Sequence, residues 1–323
     1  MKPVVLTYTL CMPIELTRLC SNACDFCPYP FTAHEPLLPL SKVKRAIGRA
    51  RRLGACLIDF VSGEAPQAYP ELLHTLSYYH CRSFLEYLAL AAAPAHRPPD
   101  GAPVIPVRLD VGTLKSHEWR LMRKHFPSAR LLLTSLDAGV MLDGALRNSP
   151  TQHYEDRLQS IVEAGDAGMP LTSGTMIGIG ETSASREKAI KVIAAIARKF
   201  GHIQAFQIQA FRPHPATPMG THPPASLAEL LETVGMARRF LPPSVRVQVN
   251  ALDWREHLGR IVAAGATDLG DLNIQLLTRG KQILDMELAL LFEPLEKAGY
   301  PLRCRRPRLL LAGAPARTSK TAA

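Results

Sequence analysis

The chain has no run of about 18 apolar residues, so no membrane-spanning helix is expected. A charged-then-apolar leader with a cleavage site is also missing, and a cytoplasmic location is expected. Disulfide architecture is disfavoured: the seven cysteines are odd in number, and Cys11, Cys56, Cys81 and Cys304 show no paired spacing. The compartment should therefore be reducing. Aromatic residues are only 6%, and no basic stripe interleaves with them as in proteins that grip single strands. The net charge of +10 is attractive to anions in principle. Part of it is gathered in Arg303, Arg305, Arg306, Arg308, Arg317 and Lys320, which read as a solvated basic tail, and neither a nucleic-acid nor a membrane partner is expected. With 47% hydrophobic and 20% charged residues, the rest is an ordinary globular composition able to bury a large core.

What stands out is Cys20-Ser-Asn-Ala-Cys24-Asp-Phe-Cys27, directly after the apolar run 12–17. Thiolates this close can ligate one iron-sulfur cluster, and a four-iron cube with three cysteines leaves one iron open to another ligand. A structural zinc site wants four closed ligands, and no Cys or His pair with zinc-finger spacing follows Cys27. A redox pair at Cys24 and Cys27 would leave Cys20 unexplained.

Strand-length apolar runs alternate with helix-period stretches, predicting repeated βα units around a parallel sheet. Strands are expected at 12–17, 56–61, 84–90, 130–135, within 170–182, and at 203–211, 245–250 and 268–272. Helices are expected at 41–53, 69–81, 113–125, 153–167, 183–200, 226–241, 254–264 and 281–298, with 91–106 a Pro- and Ala-rich connector. Eight units fit a single-domain α/β barrel over 1–302 with a basic tail at 303–323, although periodicity alone also permits an open doubly wound sheet. The cysteines would then lie just beyond a strand's carboxyl end, where barrels place active sites.

Two further motifs follow. Gly63-Glu64-Ala65-Pro66 succeeds the second strand; by itself it would read as a surface turn. Gly174-Thr-Met-Ile-Gly178-Ile-Gly180-Glu181 lacks the Gly-x-Gly-x-x-Gly spacing of a dinucleotide turn.

Together these three motifs resemble the radical S-adenosylmethionine (radical SAM) enzymes. The resemblance implies a TIM-type barrel, a 4Fe-4S cluster on Cys20, Cys24 and Cys27, and S-adenosyl-L-methionine bound at the open iron. Reductive cleavage of SAM would give a 5'-deoxyadenosyl radical, with electrons from an external donor such as a flavodoxin or ferredoxin. The hard chemistry would belong to the cofactor. By the same resemblance Phe26 flanks the cluster, Gly63, Glu64 and Pro66 belong to the element that binds the SAM amino group, and Ile177, Gly178 and Gly180 flank adenine. Arg157 is a candidate for the SAM carboxylate, its ordinary alternative being a solvated salt bridge on an amphipathic helix.

The stretches 170–182, 200–204 and 209–219 are similar to the radical SAM proteins that form the deazaflavin 7,8-didemethyl-8-hydroxy-5-deazariboflavin, in particular the CofG subunit. That likeness implies hydrogen abstraction from a small-molecule substrate, the adduct of a tyrosine fragment with 5-amino-6-ribitylaminouracil. Cyclisation and ammonia loss would follow, with a CofH-type partner enzyme supplying the adduct. Gln209, Arg212 and His214 would meet the substrate, against the alternatives of a backbone bond, a surface ion pair and a loop histidine. Ser135 stands where these synthases usually carry a glutamate, and His214 replaces their basic residue after Phe-Arg-x. Changes of this kind at the mouth leave room for a paralogue acting on another small molecule. A non-enzymatic cluster protein is the third class, and the intact Gly63-Glu64 and Gly174 to Glu181 elements argue against it.

Overall fold

Apolar strands buried on both faces need covering on both sides, and the chain achieves this by closing its sheet into a ring. The computed structural model describes residues 4–32, 35–98, 101–277 and 280–306. The ring comprises β1 (Leu6–Thr17), β2 (Leu57–Ser62), β3 (Val107–Asp110), β4 (Ser128–Arg130), β5 (Leu171–Ile177), β6 (Ile203–Ala210), β7 (Arg246–Gln248) and β8 (Asp268–Asn273). All pairings are parallel, and β1 closes the barrel by pairing with β2 through Met12↔Ile58 and with β8 through Leu10↔Leu272.

Around it lie α1 (Leu40–Leu53), α2 (Pro70–Tyr78), α3 (Phe84–His96), α4 (Ser116–Arg123), α5 (Ala138–Leu142), α6 (Tyr154–Asp166), α7 (Ser183–Phe200), α8 (Leu227–Phe240), α9 (Leu258–Ala263), α10 (Ile274–Leu277) and α11 (Lys281–Lys297). Their ends follow local chemistry. Thr182 caps α7 by accepting from Ser185 N–H, and Gly201 ends it at φ +68°, a conformation glycine adopts without strain. Ser226 and Glu229 form a reciprocal capping box on α8. None of the helices among the described residues is long and apolar enough to cross a membrane.

The third unit departs from expectation. Residues 84–90 are not a strand but the first half of α3, and the third strand is β3. Ser83 caps the helix by accepting from Glu86 N–H, and Phe84, Tyr87, Leu88, Ala91, Ala92 and Ala95 form its buried stripe at helical spacing. Leu85 and Leu90 off that stripe leave Glu86 as the one charged residue in the run, which hides the period.

The fourth strand lies at Ser128–Arg130, ahead of the expected 130–135 and sharing only Arg130 with it, but its hydrogen bonding runs on: Leu131 and Leu133 N–H donate to Thr172 O and Gly174 O. The loop after it contains the short helix α5, capped by Asp137.

A ninth strand, β9 (Leu302–Cys304), pairs with β1 at Leu6↔Leu302 and Tyr8↔Cys304, so the sheet continues across the boundary expected at residue 302. Of the basic tail, Arg308, Arg317 and Lys320 lie outside the described residues.

The lower interior of the barrel is ionic. Arg108 grips Asp59 through two bonds of 3.0 and 2.6 Å and reaches Asp271 at 2.8 Å. Arg130 bridges Asp59 at 2.6 Å and Asp110 at 2.9 Å. Arg305, read from sequence as solvated, pairs with fully buried Asp268 at 2.7 Å. Burial pushes the Asp271 carboxyl up, but Arg108, Arg130 and Arg305 outweigh it and hold it well below the usual carboxylate range. Such a layer adds little net stability as a whole, yet loss of one member strands its partner and costs about 3–5 kcal/mol.

Candidate active site at the barrel mouth

β1 delivers the cysteine loop to the mouth, and neighbouring loops pin it there. Gly63 N–H donates to Thr17 O, Ser21 N–H to Glu64 O, Ala23 N–H to Asn148 O and Asp25 N–H to Ala145 O. The Asn22 side chain accepts from Thr151 N–H and donates to Thr151 Oγ1. Tyr69 Oη donates to Cys20 O at 2.7 Å.

The three thiols are free and line one cavity of about 150 Å³ together with Phe26, Gly63, Glu64, Thr134, Gln152, Met176 and Gln209. Burial raises all three thiols, Cys24 to about 12. Two sulfurs already receive hydrogen bonds, Cys20 from Glu64 N–H at 3.2 Å and Cys24 from Ser149 O–H at 3.1 Å. Such bonds favour the charged thiolate, the form that binds metal.

Among the described residues no group of His, Cys, Asp or Glu converges as the ligand set of a single ion. A four-iron cluster makes no such demand, since each thiolate binds a different iron. Three soft sulfur ligands on one small cavity, two of them backed by donors, therefore fit a cluster better than a lone ion. Above them Val140, Met141, Leu146, Met176, Phe211 and Met219 form a separate apolar cluster with Cys24, against which Phe26 and Cys27 pack.

Glu64 is the second fixed point. Its carboxylate accepts from Thr151 Oγ1 at 2.6 Å, Gln152 Nε2 at 3.1 Å and Arg157 Nη1 at 2.8 and 3.0 Å. Thr134 Oγ1 donates to Gln152 Oε1 at 2.7 Å and so orients the amide. Arg157 is buried rather than solvated, and its Nε donates to Leu132 O at 2.6 Å.

Two glycines are required by close neighbours, the backbone at Gly63 and the fixed Glu64 side chain at Gly112. A Cβ on Gly63 would stand 2.0 Å from Leu19 O, and one on Gly112, at φ +82°, would stand 2.4 Å from Glu64 Cγ. Ala65 takes a positive φ of 48° and leads into the buried Pro66.

Other sequence candidates fall differently. The Ser135 hydroxyl accepts from Asp137 N–H, and its neighbour Thr134 is the one that lines the cavity. Ile177 ends β5 and Gly178 and Gly180 lie in the turn beyond it, all three outside the lining of the two cavities that hold Gln209. That turn is held by Glu181, which accepts from Gly178 and Ile179 N–H and pairs with Arg186 at 2.9 Å.

Gln209, next to last in β6, lines both the small cavity and an adjoining one of about 370 Å³. The larger cavity also holds Arg212, Asn250, Asp253 and Trp254. Arg212 pairs with Asp253 at 3.4 Å and lies 5.9 Å from the Trp254 ring centre. Burial raises the Asp253 carboxyl, with Arg212 opposing. His214 is exposed, accepts from Ala216 N–H and lines neither cavity.

Sequence reading missed Gly112, Ser149, Thr151, Gln152, Asn250 and Asp253. The available signal was position, since each follows a strand at its carboxyl end, but their residue types in loops read as turns.

Residues 14–193 match the radical SAM superfamily model. The chain belongs to the radical SAM superfamily, and it is a radical SAM enzyme. Its likeness to the CofG-type proteins is also found. It is 32% identical over 282 residues to the 7,8-didemethyl-8-hydroxy-5-deazariboflavin synthase of Methanococcoides burtonii, covering 84% of this chain and 80% of that protein. Among solved structures it is similar to HydG, a maturase of the [FeFe]-hydrogenase, with TM-score 0.68 and 14% identity over 94% of this chain and 61% of that one. Methylornithine synthase (PylB) gives TM-score 0.66 and 16% identity over 94% of this chain and 84% of that one. These two likenesses concern the fold alone. The superfamily uses a 4Fe-4S cluster and SAM.

Proposed function

We propose that this protein forms the deazaflavin 7,8-didemethyl-8-hydroxy-5-deazariboflavin by hydrogen abstraction from a tyrosine-derived adduct of 5-amino-6-ribitylaminouracil, with loss of ammonia. The observation that carries the reading is the pair of joined cavities. One holds three thiols and Glu64, the other holds Gln209, Arg212 and Asp253, and Phe26, Cys27, Met176 and Gln209 line both. The 32% identity to a synthase of this name supports it.

Cys20, Cys24 and Cys27 hold the cluster. Bound cluster and SAM together supply a 5'-deoxyadenosyl radical. Glu64 takes the SAM amino group, and Arg157 acts as a positioning residue that fixes the carboxylate. Met176 and the apolar cluster around Cys24 keep water from the reacting centre.

In the larger cavity Gln209 and Asn250 offer both donors and acceptors to a polar heterocycle. Trp254 offers a flat apolar face, and Arg212 a cation for an acidic group. Asp253, raised by burial, is suited to hand a proton to the departing amine. An external electron donor and a CofH-type partner enzyme complete the system.

The test is anaerobic. The reconstituted protein is given reductant, SAM, tyrosine, 5-amino-6-ribitylaminouracil and an authentic CofH-type partner, and 5'-deoxyadenosine and deazaflavin fluorescence are followed. Both products are expected. Deoxyadenosine without deazaflavin would overturn the substrate assignment.

A further inference from the structure

At the foot of the barrel, β9 and β2 lie end to end along the same edge of β1. Arg305 N–H donates to Tyr8 O at 2.6 Å, and Cys56 N–H donates to Leu10 O at 2.8 Å. The seam between the two strands therefore falls at Cys304 and Cys56. These residues are 248 positions apart in sequence, yet their sulfurs approach to 3.5 Å. Both are free and half-buried. A disulfide needs a sulfur separation of about 2.05 Å, so closure asks for a movement of roughly 1.5 Å between side chains on strands already aligned by β1.

The surroundings favour exchange chemistry. The hydrogen bond with Cys304 pulls the Cys56 thiol down to about 6, burial opposes, and the Arg306 guanidinium assists. The same contact and burial push Cys304 up. Near neutral pH one sulfur is the attacking thiolate and the other holds the proton. Cys304 also lines a cavity of about 720 Å³ with Arg303 and Arg306, and with Arg246 and Arg305, which pair with Asp268; no acidic side chain is among its described lining residues.

We propose that Cys56 and Cys304 are a reversible thiol-disulfide site, that its oxidant is a small disulfide bearing carboxylates drawn to the arginine-lined cavity, and that the bond fastens β9 to the start of β2. The Cys56 thiolate attacks one sulfur of the small disulfide and expels the first thiolate, leaving a mixed disulfide. Cys304 gives its proton to solvent, attacks the Cys56 sulfur and expels the second. Two electrons pass from the pair to the small disulfide, which leaves as two thiols. The inference is independent of the reaction at the mouth.

The test treats the full-length, cluster-loaded chain anaerobically with glutathione disulfide, alkylates remaining thiols and maps peptides without reduction. The same is done on a variant with Cys20, Cys24 and Cys27 all changed to Ser, so that failure at the cluster is distinguishable. A peptide pair joined through Cys56 and Cys304 is expected in both, reversed by dithiothreitol, with a rise in Tm of about 5 °C or more. Cys304→Ser should stop at a mixed disulfide on Cys56, whereas Cys56→Ser should leave Cys304 unmodified. Cystamine, a cationic disulfide, should react at least about tenfold more slowly. Free Cys56 and Cys304 after oxidation, or cross-links to Cys11 or Cys81 instead, would overturn the site. Equal rates with the two disulfides would overturn the assignment of the oxidant.

Discussion

The mouth and the foot of this barrel are both polar, but they are polar in opposite ways. At the foot, arginines and aspartates face one another: Arg108, Arg130 and Arg305 meet Asp59, Asp268 and Asp271. At the mouth, donors are aimed at the groups we propose as ligands: Ser149 at the Cys24 sulfur, and Thr151, Gln152 and Arg157 at Glu64. The ion-pair layer at the foot closes on itself. At the mouth the three thiols and Glu64 line a cavity. Mutually satisfied charge holds a fold, whereas preoriented groups facing open space hold a cofactor and a substrate.

This contrast predicts separable losses, the largest at the thiols. Cys24→Ser should abolish cluster loading and reduce 5'-deoxyadenosine formation to background with the far-UV CD spectrum unchanged, read by iron analysis and chromatography. Unfolding of this variant would break the distinction between ligand and scaffold.

At the foot the order reverses. Asp59→Ala removes the carboxylate that Arg108 and Arg130 share, leaving them Asp271 and Asp110, and should cost about 3 kcal/mol in urea unfolding, while the molecules that remain folded still load cluster. The paired Asp271 carboxyl has its folded pKa depressed below an unfolded value of about 3.9. Its contribution is therefore complete above that pH and is lost as pH falls further through the folded value. Asp271→Asn should flatten the acid limb of a stability profile below about pH 4.

Gly112→Ala joins the two regions, since it strains a positive φ and pushes on Glu64 without touching a thiol. We expect normal iron content, a stability loss of about 1–2 kcal/mol and SAM binding weakened about tenfold or more. Titration of SAM into the loaded variant checks this, and unchanged affinity would separate Gly112 from the site.

Arg212 and Asp253 should matter next. Asp253→Asn should lower deazaflavin yield about five- to tenfold and move the pH profile while SAM cleavage continues, within the range of general acid effects. The smallest effect is expected at exposed His214. His214→Ala should change product formation by less than about twofold, as surface substitutions away from a site do.

How much of this was readable from the chain follows the same division. The cysteines lie within eight residues and Glu64 one βα unit later, so contiguous spacing carries the cluster loop and its neighbour. The groups that hold Glu64 come from a Ser149-Pro-Thr-Gln152 loop, whose residue types signal a turn and nothing more. The βα repeat was legible from alternating runs, which by themselves also allowed an open sheet, except where α3 is apolar off its buried stripe and so conceals its helical period. At the foot, no local pattern could bring Cys304 to Cys56 or place Arg305 on Asp268. Those contacts exist because β9 occupies the edge of β1 that β2 leaves open below Cys11.

The most direct test of the central claim, that the mouth binds SAM at a cluster held by Cys20, Cys24 and Cys27, is electron paramagnetic resonance of the reduced, reconstituted protein with and without SAM. The account predicts about four irons per chain and a signal whose g values shift when SAM is added, with the shift weakened in Glu64→Gln. A fully loaded cluster whose signal is indifferent to SAM would contradict it.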